Sequence, residues 1–257
     1  MKIEYIASAV GMAAPHQFLT SFVIDDRVAI DAGAIGVVSP PSRQKRIRHV
    51  FLSHSHIDHV ATLPLFLDNV YDPHGDCVRV YASPAVQDCL RRDVFNDRLW
   101  PDLTLMSDPT PFVQFETLHD DQPIQIDDLQ ITPITVDHVV PCFAFLIEGS
   151  DAAAAIVTDT GPTHAVWERI QAAENLGAVF LEASFPSSLQ WLADKSKHLT
   201  PAQFLVEIAK LDRVVPVYAI HLKPVFHDQM VSELMSLGLK NLEIAEPGRE
   251  YEINGCA

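Results

Sequence analysis

His54-Ser55-His56-Ile57-Asp58-His59 is the stretch on which the reading of this chain turns. It packs four candidate metal ligands, three of them imidazoles, into six residues, and a nitrogen-rich set of this kind suits zinc or another borderline first-row ion. Val50-Phe51-Leu52 before it reads as a strand, and Val60 to Leu67 after it starts an apolar helix. The cluster therefore lies in a loop at the C-terminal end of a strand, where sites form in α/β proteins.

Two metals need more than four ligands, so further His or Asp residues are expected at other strand ends. Asp137-His138 follows the strand pattern Leu129 to Val136, Asp159 follows Ala154 to Thr158, and His221 follows Val217 to Ile220. Their shared placement at points where strands run out marks His138, Asp159 and His221 as ligand candidates. His16, His49, His74, His119, His164 and His227 lack that placement and read as surface or internally satisfied residues.

Working outward, short apolar or β-branched runs alternate with helical patterns along the whole chain. Strands are expected at Ile3 to Ile6, Phe22 to Ile24, Val28 to Ile30, Val78 to Ala82, Cys142 to Ile147, Ala178 to Leu181 and Val214 to Ile220, besides those already named. Helices are expected at Pro84 to Arg92, Pro162 to Asn175, Pro201 to Lys210 and Asp228 to Leu237, several with proline in the first turn, where its missing N–H costs nothing. Thr200-Pro201-Ala202-Gln203 has the form of a capping box, which fixes His198 just before a helix N-terminus. Residues 93–123, rich in proline and polar side chains, read as an insertion or lid loop within a single domain spanning 1–257.

Composition is that of a folded protein, with 48% hydrophobic and 20% charged residues. Eighteen Lys and Arg against 34 Asp and Glu give a net charge of -16, a field that repels nucleic acid and anionic membranes. Divalent cations would reverse the sign locally, so a small anionic substrate is still admitted. Cys77, Cys89, Cys142 and Cys256 show no paired spacing, the start of the sequence has no cationic and apolar leader pattern, and no run approaches 18 apolar residues. A cytoplasmic location is expected, and exposed apolar insertions suggest a homodimer.

H-x-H-x-D-H, followed by a lone His, an Asp and a late His in that order, resembles the metallo-β-lactamase superfamily. Asp31-Ala32-Gly33 resembles its early D-x-G turn, with Asp31 orienting the site. The resemblance implies an α+β, four-layer αβ/βα sandwich. It also implies two divalent metal ions, with zinc expected first and manganese or iron as alternatives. His54, His56 and His138 would hold one ion, Asp58, His59 and His221 the other, and Asp159 would bridge them.

Leu181-Glu182-Ala183-Ser184-Phe185 and His198-Leu199-Thr200 resemble the phosphodiesterase branch of that superfamily. Trp100-Pro101, Thr158-Asp159-Thr160-Gly161-Pro162-Thr163, Trp167-Glu168 and His221-Leu222-Lys223-Pro224 resemble the class II cyclic-nucleotide phosphodiesterases; Ile57 and Thr62 stand where the strict signature has Leu and a small Gly or Ser. The implied reaction hydrolyses 3′,5′-cyclic nucleotides (cAMP or cGMP) to 5′-nucleotides. In it Asp58 orients the attacking oxygen, and His198, held by Glu182, protonates the leaving group. Phe143, Phe185 and Trp100 are candidates for stacking on a base, though each suits a core position. The same fold also hosts tRNase Z-type nucleases, lactone, thioester and β-lactam hydrolases, di-iron oxidoreductases and nucleotide sensors. The negative charge disfavours the nuclease, and the full set of seven ligands disfavours the redox enzyme and the sensor.

Overall fold

The computed structural model describes residues 1–8, 16–106 and 110–255. Two seven-stranded mixed sheets dominate it. The first contains β1 (Lys2–Tyr5), β2 (Phe22–Ile24), β3 (Val28–Ile30), β4 (His49–Phe51), β5 (Val78–Ala82) and β6 (Val113–Thr117). The second contains β7 (Ile124–Ile126), β8 (Leu129–Val136), β9 (Cys142–Glu148), β10 (Ala153–Val157), β11 (Leu176–Glu182), β12 (Val217–Ile220) and β13 (Leu242–Ile244). The last strand, β14 (Glu250–Glu252), returns to the first sheet beside β1. The two sheets repeat one plan. Strand order is β14-β1-β2-β3-β4-β5-β6 in one and β7-β8-β9-β10-β11-β12-β13 in the other, each antiparallel over its first three contacts and parallel over its last three.

Side chains alternate across each strand, and here both faces are covered. Phe51 points into the layer between the sheets, where it joins Phe22, Phe145, Ile156 and Phe180. Its neighbours Val50 and Leu52 point the other way, against Leu63, Phe66 and Leu67 of α3 (Leu63–Val70). In the second sheet Val179 and Leu181 face outward onto Trp167 and Ile170 of α5 (Ala165–Gln171) and Phe204 of α7 (Pro201–Ile208). Helix, sheet, sheet and helix thus stack as the expected four-layer αβ/βα sandwich, and the near-continuous apolar runs of β9 to β11 follow from burial on both faces. No helix among the described residues is long and apolar enough to cross a membrane.

The loop expected over 93–123 does not hold throughout, because Val113–Thr117 forms β6 and pairs in parallel with β5. Its pattern of one buried residue followed by mostly polar, partly exposed ones is that of an edge strand, which an apolar-run criterion misses. The short strands β7, β13 and β14 escape the same criterion for the same reason.

The turn after β3 sets the floor of the later site. Asp31 adopts left-handed backbone, φ 61°, and Gly33 lies so close to the following loop that a Cβ there would sit 2.1 Å from the Asp58 carbonyl oxygen and 2.7 Å from that of Thr20. Both neighbours are backbone and cannot swing aside. Gly33→Ala is expected to destabilise the fold by roughly 1–3 kcal/mol through overpacking, read as a lower urea midpoint. An unchanged midpoint would contradict this packing.

Candidate metal centre

Strand ends from both sheets deliver the site. The end of β4 leads into Ser53 and His54, and a single turn, α2 (Ile57–Val60), carries Asp58 and His59. From the second sheet His138 follows β8, Asp159 follows β10, Glu182 closes β11 and His221 follows β12. His198 comes from the turn before α7, whose capping box is formed as expected, with Thr200 N donating to Gln203 Oε1 at 3.0 Å and Gln203 N to Thr200 Oγ1 at 3.5 Å.

All seven expected ligands converge, in two groups around one carboxylate. His54 Nε2 lies 3.4 Å and His138 Nε2 3.8 Å from Asp159 Oδ2, and His56 Nδ1 is 3.4 Å from His138 Nε2. On the other side His59 Nε2 is 3.3 Å from Asp159 Oδ1, while Asp58 Oδ2 is 3.2 Å from His221 Nε2 and 3.9 Å from His59 Nε2. Ligands about 2.1 Å from a tetrahedral cation stand about 3.4 Å from each other, so this spacing is that of ligand atoms around a shared centre. The residues also pass a second test of fit. His54 Nε2, His59 Nε2 and Asp159 Oδ1 are buried without a hydrogen-bond partner. An unsatisfied buried polar group costs about 1–3 kcal/mol, and the presence of such atoms in both groups, His54 in one and His59 with Asp159 Oδ1 in the other, fits cation binding there.

The opposite ring nitrogens of His54, His59, His138 and His221 are tied down, which fixes each of those tautomers and turns the free nitrogen inward. His59 Nδ1 donates to Asp31 Oδ2 at 2.6 Å; Ser53 Oγ donates to the same oxygen at 2.8 Å and accepts from His54 Nδ1 at 2.9 Å. His138 Nδ1 donates to the Lys197 carbonyl at 3.0 Å, and His221 Nδ1 to Ser184 Oγ at 2.9 Å. For His56, His138 and His221 the protonation states agree with this role, whereas at His59 the carboxylates Asp159 and Asp31 outweigh burial and raise the imidazole well above its ordinary value. Burial, helped by the neighbouring His54 and His138, depresses His56 to about 4, and burial likewise lowers His138 and His221, leaving their lone pairs free at neutral pH. Burial alone would raise Asp58, but the neighbouring His221, His59 and Lys223 hold it well below the usual carboxylate range.

His198 stands beside this cluster, its Nε2 3.9 Å from Asp159 Oδ2 and its Nδ1 donating to Glu182 Oε1 at 2.7 Å. The pair is buried, not a surface ion pair. Burial opposes the imidazolium, yet the Glu182 carboxylate outweighs it and raises His198 above the ordinary histidine value.

Three contributors are absent from the ligand pattern read in the sequence. Ser53 and Ser184 act through hydroxyls, which carry no motif of their own, although each adjoins or falls within a quoted segment. Lys223 places its ammonium 3.3 Å from His221 Nε2 and 3.6 Å from Asp58 Oδ2, a cation at the mouth of the site. Ile57 is 69% exposed on α2 and touches no ligand role, whereas Thr62 is buried, its Oγ1 accepting from Gly36 N and donating to Ala32 O. Of the aromatic candidates, Phe143 is in the core between the sheets and Trp100 packs on the outer core of the first sheet. Phe185 alone lies at the site, its ring centroid 5.7 Å from that of His198. His49 bonds to the Tyr81 hydroxyl and His227 to Asp228. Cys77, Cys89 and Cys142 are free thiols, and Cys256 falls outside the described residues.

Residues 26–222 match the family model described as the beta-lactamase superfamily domain. A probable 3′,5′-cyclic-nucleotide phosphodiesterase of Yersinia pestis is 26% identical over 240 residues, an alignment covering 80% of this chain and 67% of that relative. Among solved structures, unliganded yeast PDE1 superposes with a TM-score of 0.77 at 17% identity, covering 97% of this chain and 98% of that one. The short form of human tRNase Z superposes with a TM-score of 0.69 at 13% identity, covering 98% and 99%. At these identities the structural matches speak to fold alone. With the family model spanning most of the sequence and the His and Asp cluster seated at its strand ends, the chain belongs to the metallo-β-lactamase superfamily, as a hydrolase with a site suited to divalent metal.

Proposed function

We propose that this protein hydrolyses nucleoside 3′,5′-cyclic phosphates to 5′-nucleotides. The observation that carries the reading is the buried Glu182–His198 pair set at 3.9 Å from the bridging position of Asp159. Hydrolysis of a lactone or β-lactam has no evident use for a second, carboxylate-held imidazole beside the ligand set. A phosphodiester does, because its departing alkoxide needs a proton. The Yersinia pestis relative, named for this activity, supports the substrate class.

In this proposal His54, His56, His138 and Asp159 hold one cation, and Asp58, His59, His221 and Asp159 the other. Bound there, two divalent ions supply a lowered water pKa and offset negative charge on the phosphoryl oxygens. Asp58 orients the attacking water in line with the bond between phosphorus and the 3′ oxygen. As that bond breaks, His198 Nε2 donates its proton to the 3′ oxygen, and Glu182 stabilises the imidazolium beforehand. Lys223 draws the substrate anion to the mouth of an otherwise acidic protein. Phe185, with Phe226 at a centroid distance of 6.3 Å, forms an apolar wall beside His198 against which the nucleoside rests. The whole chain, 1–257, works here as one metallo-hydrolase domain, with the part of 93–123 outside β6 as an insertion.

Parallel incubation of the zinc- or manganese-loaded protein with cyclic AMP, cyclic GMP and a tRNA precursor tests the reading. Release of 5′-nucleotide with the tRNA left intact is expected, and His198→Ala is expected to slow turnover roughly 100- to 10,000-fold with metal content unchanged. Cleavage of the tRNA with the cyclic nucleotides untouched would overturn it. The acid also predicts a pH signature. Glu182 raises His198, and the acid must be protonated to act, so activity falls as pH rises through that raised value. In Glu182→Gln the supporting charge is gone, and the alkaline limb of kcat is expected at lower pH than in the parent; a limb that stays in place would remove His198 from the role.

A further inference from the structure

Two carboxylate and serine pairs flank the centre, one from each sheet. In the first, Asp31 Oδ2 holds His59 directly and His54 through Ser53. In the second, Glu182 Oε1 holds His198 directly at 2.7 Å, while Glu182 Oε2 accepts from Ser184 Oγ at 2.6 Å and that same hydroxyl accepts from His221 Nδ1 at 2.9 Å. Glu182 and Ser184 are wholly buried. The similar plan of the two sheets places both pairs at the ends of parallel strands, β3 and β4 in one case and β11 in the other.

We propose that Ser184 is a positioning residue for the cation held by Asp58, His59 and His221, and that it makes Glu182 a shared support for a metal ligand and the proton donor. The hydroxyl is needed because Glu182 Oε1 is already engaged by His198 Nδ1 and by Thr160 N at 2.9 Å, and neither oxygen contacts His221. His221 is held in left-handed backbone, φ 60°, a conformation that does not fix its own ring. Its Nδ1 also lies 3.4 Å from Asp159 Oδ1. Without Ser184 as acceptor, that N–H turns to Asp159, taking up the oxygen that faces the second group and turning His221 Nε2 away from Asp58. Ser184 therefore protects two ligands of one cation at once. The inference rests on His221 as a ligand in the reading above, and on no property of the substrate.

Zinc affinity, measured on the full chain by competition with a chromophoric chelator and without substrate, separates this test from the identity of the phosphodiester. Ser184→Ala is expected to weaken one of two zinc ions by roughly 10- to 100-fold and leave the other unchanged, and Ser184→Thr, which keeps the hydroxyl, to restore it. Glu182→Gln, close to Glu in shape, is expected to weaken the same ion, an effect a residue serving only His198 would not have. Wild-type affinity for both ions in Ser184→Ala, or a Thr variant as weak as the Ala one, would overturn the proposal. Should the Ala variant fail to fold, undiminished zinc binding in Glu182→Gln would overturn it equally.

Discussion

The fold depends on one electrostatic constraint, the burial of the Asp159 carboxylate among imidazoles in the interior of a chain of net charge -16. A buried carboxylate is costly unless positive charge or hydrogen bonds surround it. Here burial would push the acid up, and His221 and His59 instead hold it well below the usual range. Each oxygen faces a different ligand group, so the carboxylate is also the geometric centre of the site. Asp31 and His221, with left-handed backbone at the ends of β3 and β12, are local distortions of the kind that persist where surrounding structure over-determines them.

The doubled architecture explains how such a centre assembles. The first sheet contributes the ends of β3 and β4 and the second those of β8, β10, β11 and β12, and the layer between the sheets, built on Phe22, Phe51, Phe145 and Phe180, fixes their relative position. Phe180 is central, since it packs on Phe22 and Tyr251 from the first sheet and on Tyr218 of the neighbouring β12. Side chains separated by more than 160 residues in sequence, such as Asp58 and His221, come within 3.2 Å because two close-packed sheets leave little freedom to move. Outside the ligand positions the chain varies from the class II signature without disturbing this frame. Ile57 points to solvent, and Thr62 uses its hydroxyl to bind backbone on both sides.

Much of this was legible in the sequence because ligands and strands obey strict local rules. His54 to His59 announced itself by density, and His138, Asp159 and His221 by sitting where apolar runs end. The Thr200 capping box located His198 beside a helix start, and the structure has it there. What escaped was of two kinds. Edge strands such as Val113–Thr117 bury few residues, so their apolar pattern is weak, and a loop was expected instead. Hydroxyl links such as Ser53 and Ser184 depend on three-dimensional placement, and a serine beside a histidine carries no spacing rule. Lys223 shows the same limit, since only the fold brings its ammonium to Asp58.

The central claim is that seven side chains from both sheets hold a pair of cations on Asp159. Native mass spectrometry of the protein, stripped with chelator and then titrated with zinc, tests it most directly. The account predicts a chain that saturates at two bound ions, with Asp159→Ala failing to reach two. Saturation of the parent at one ion or none, or two ions retained in Asp159→Ala, would contradict it.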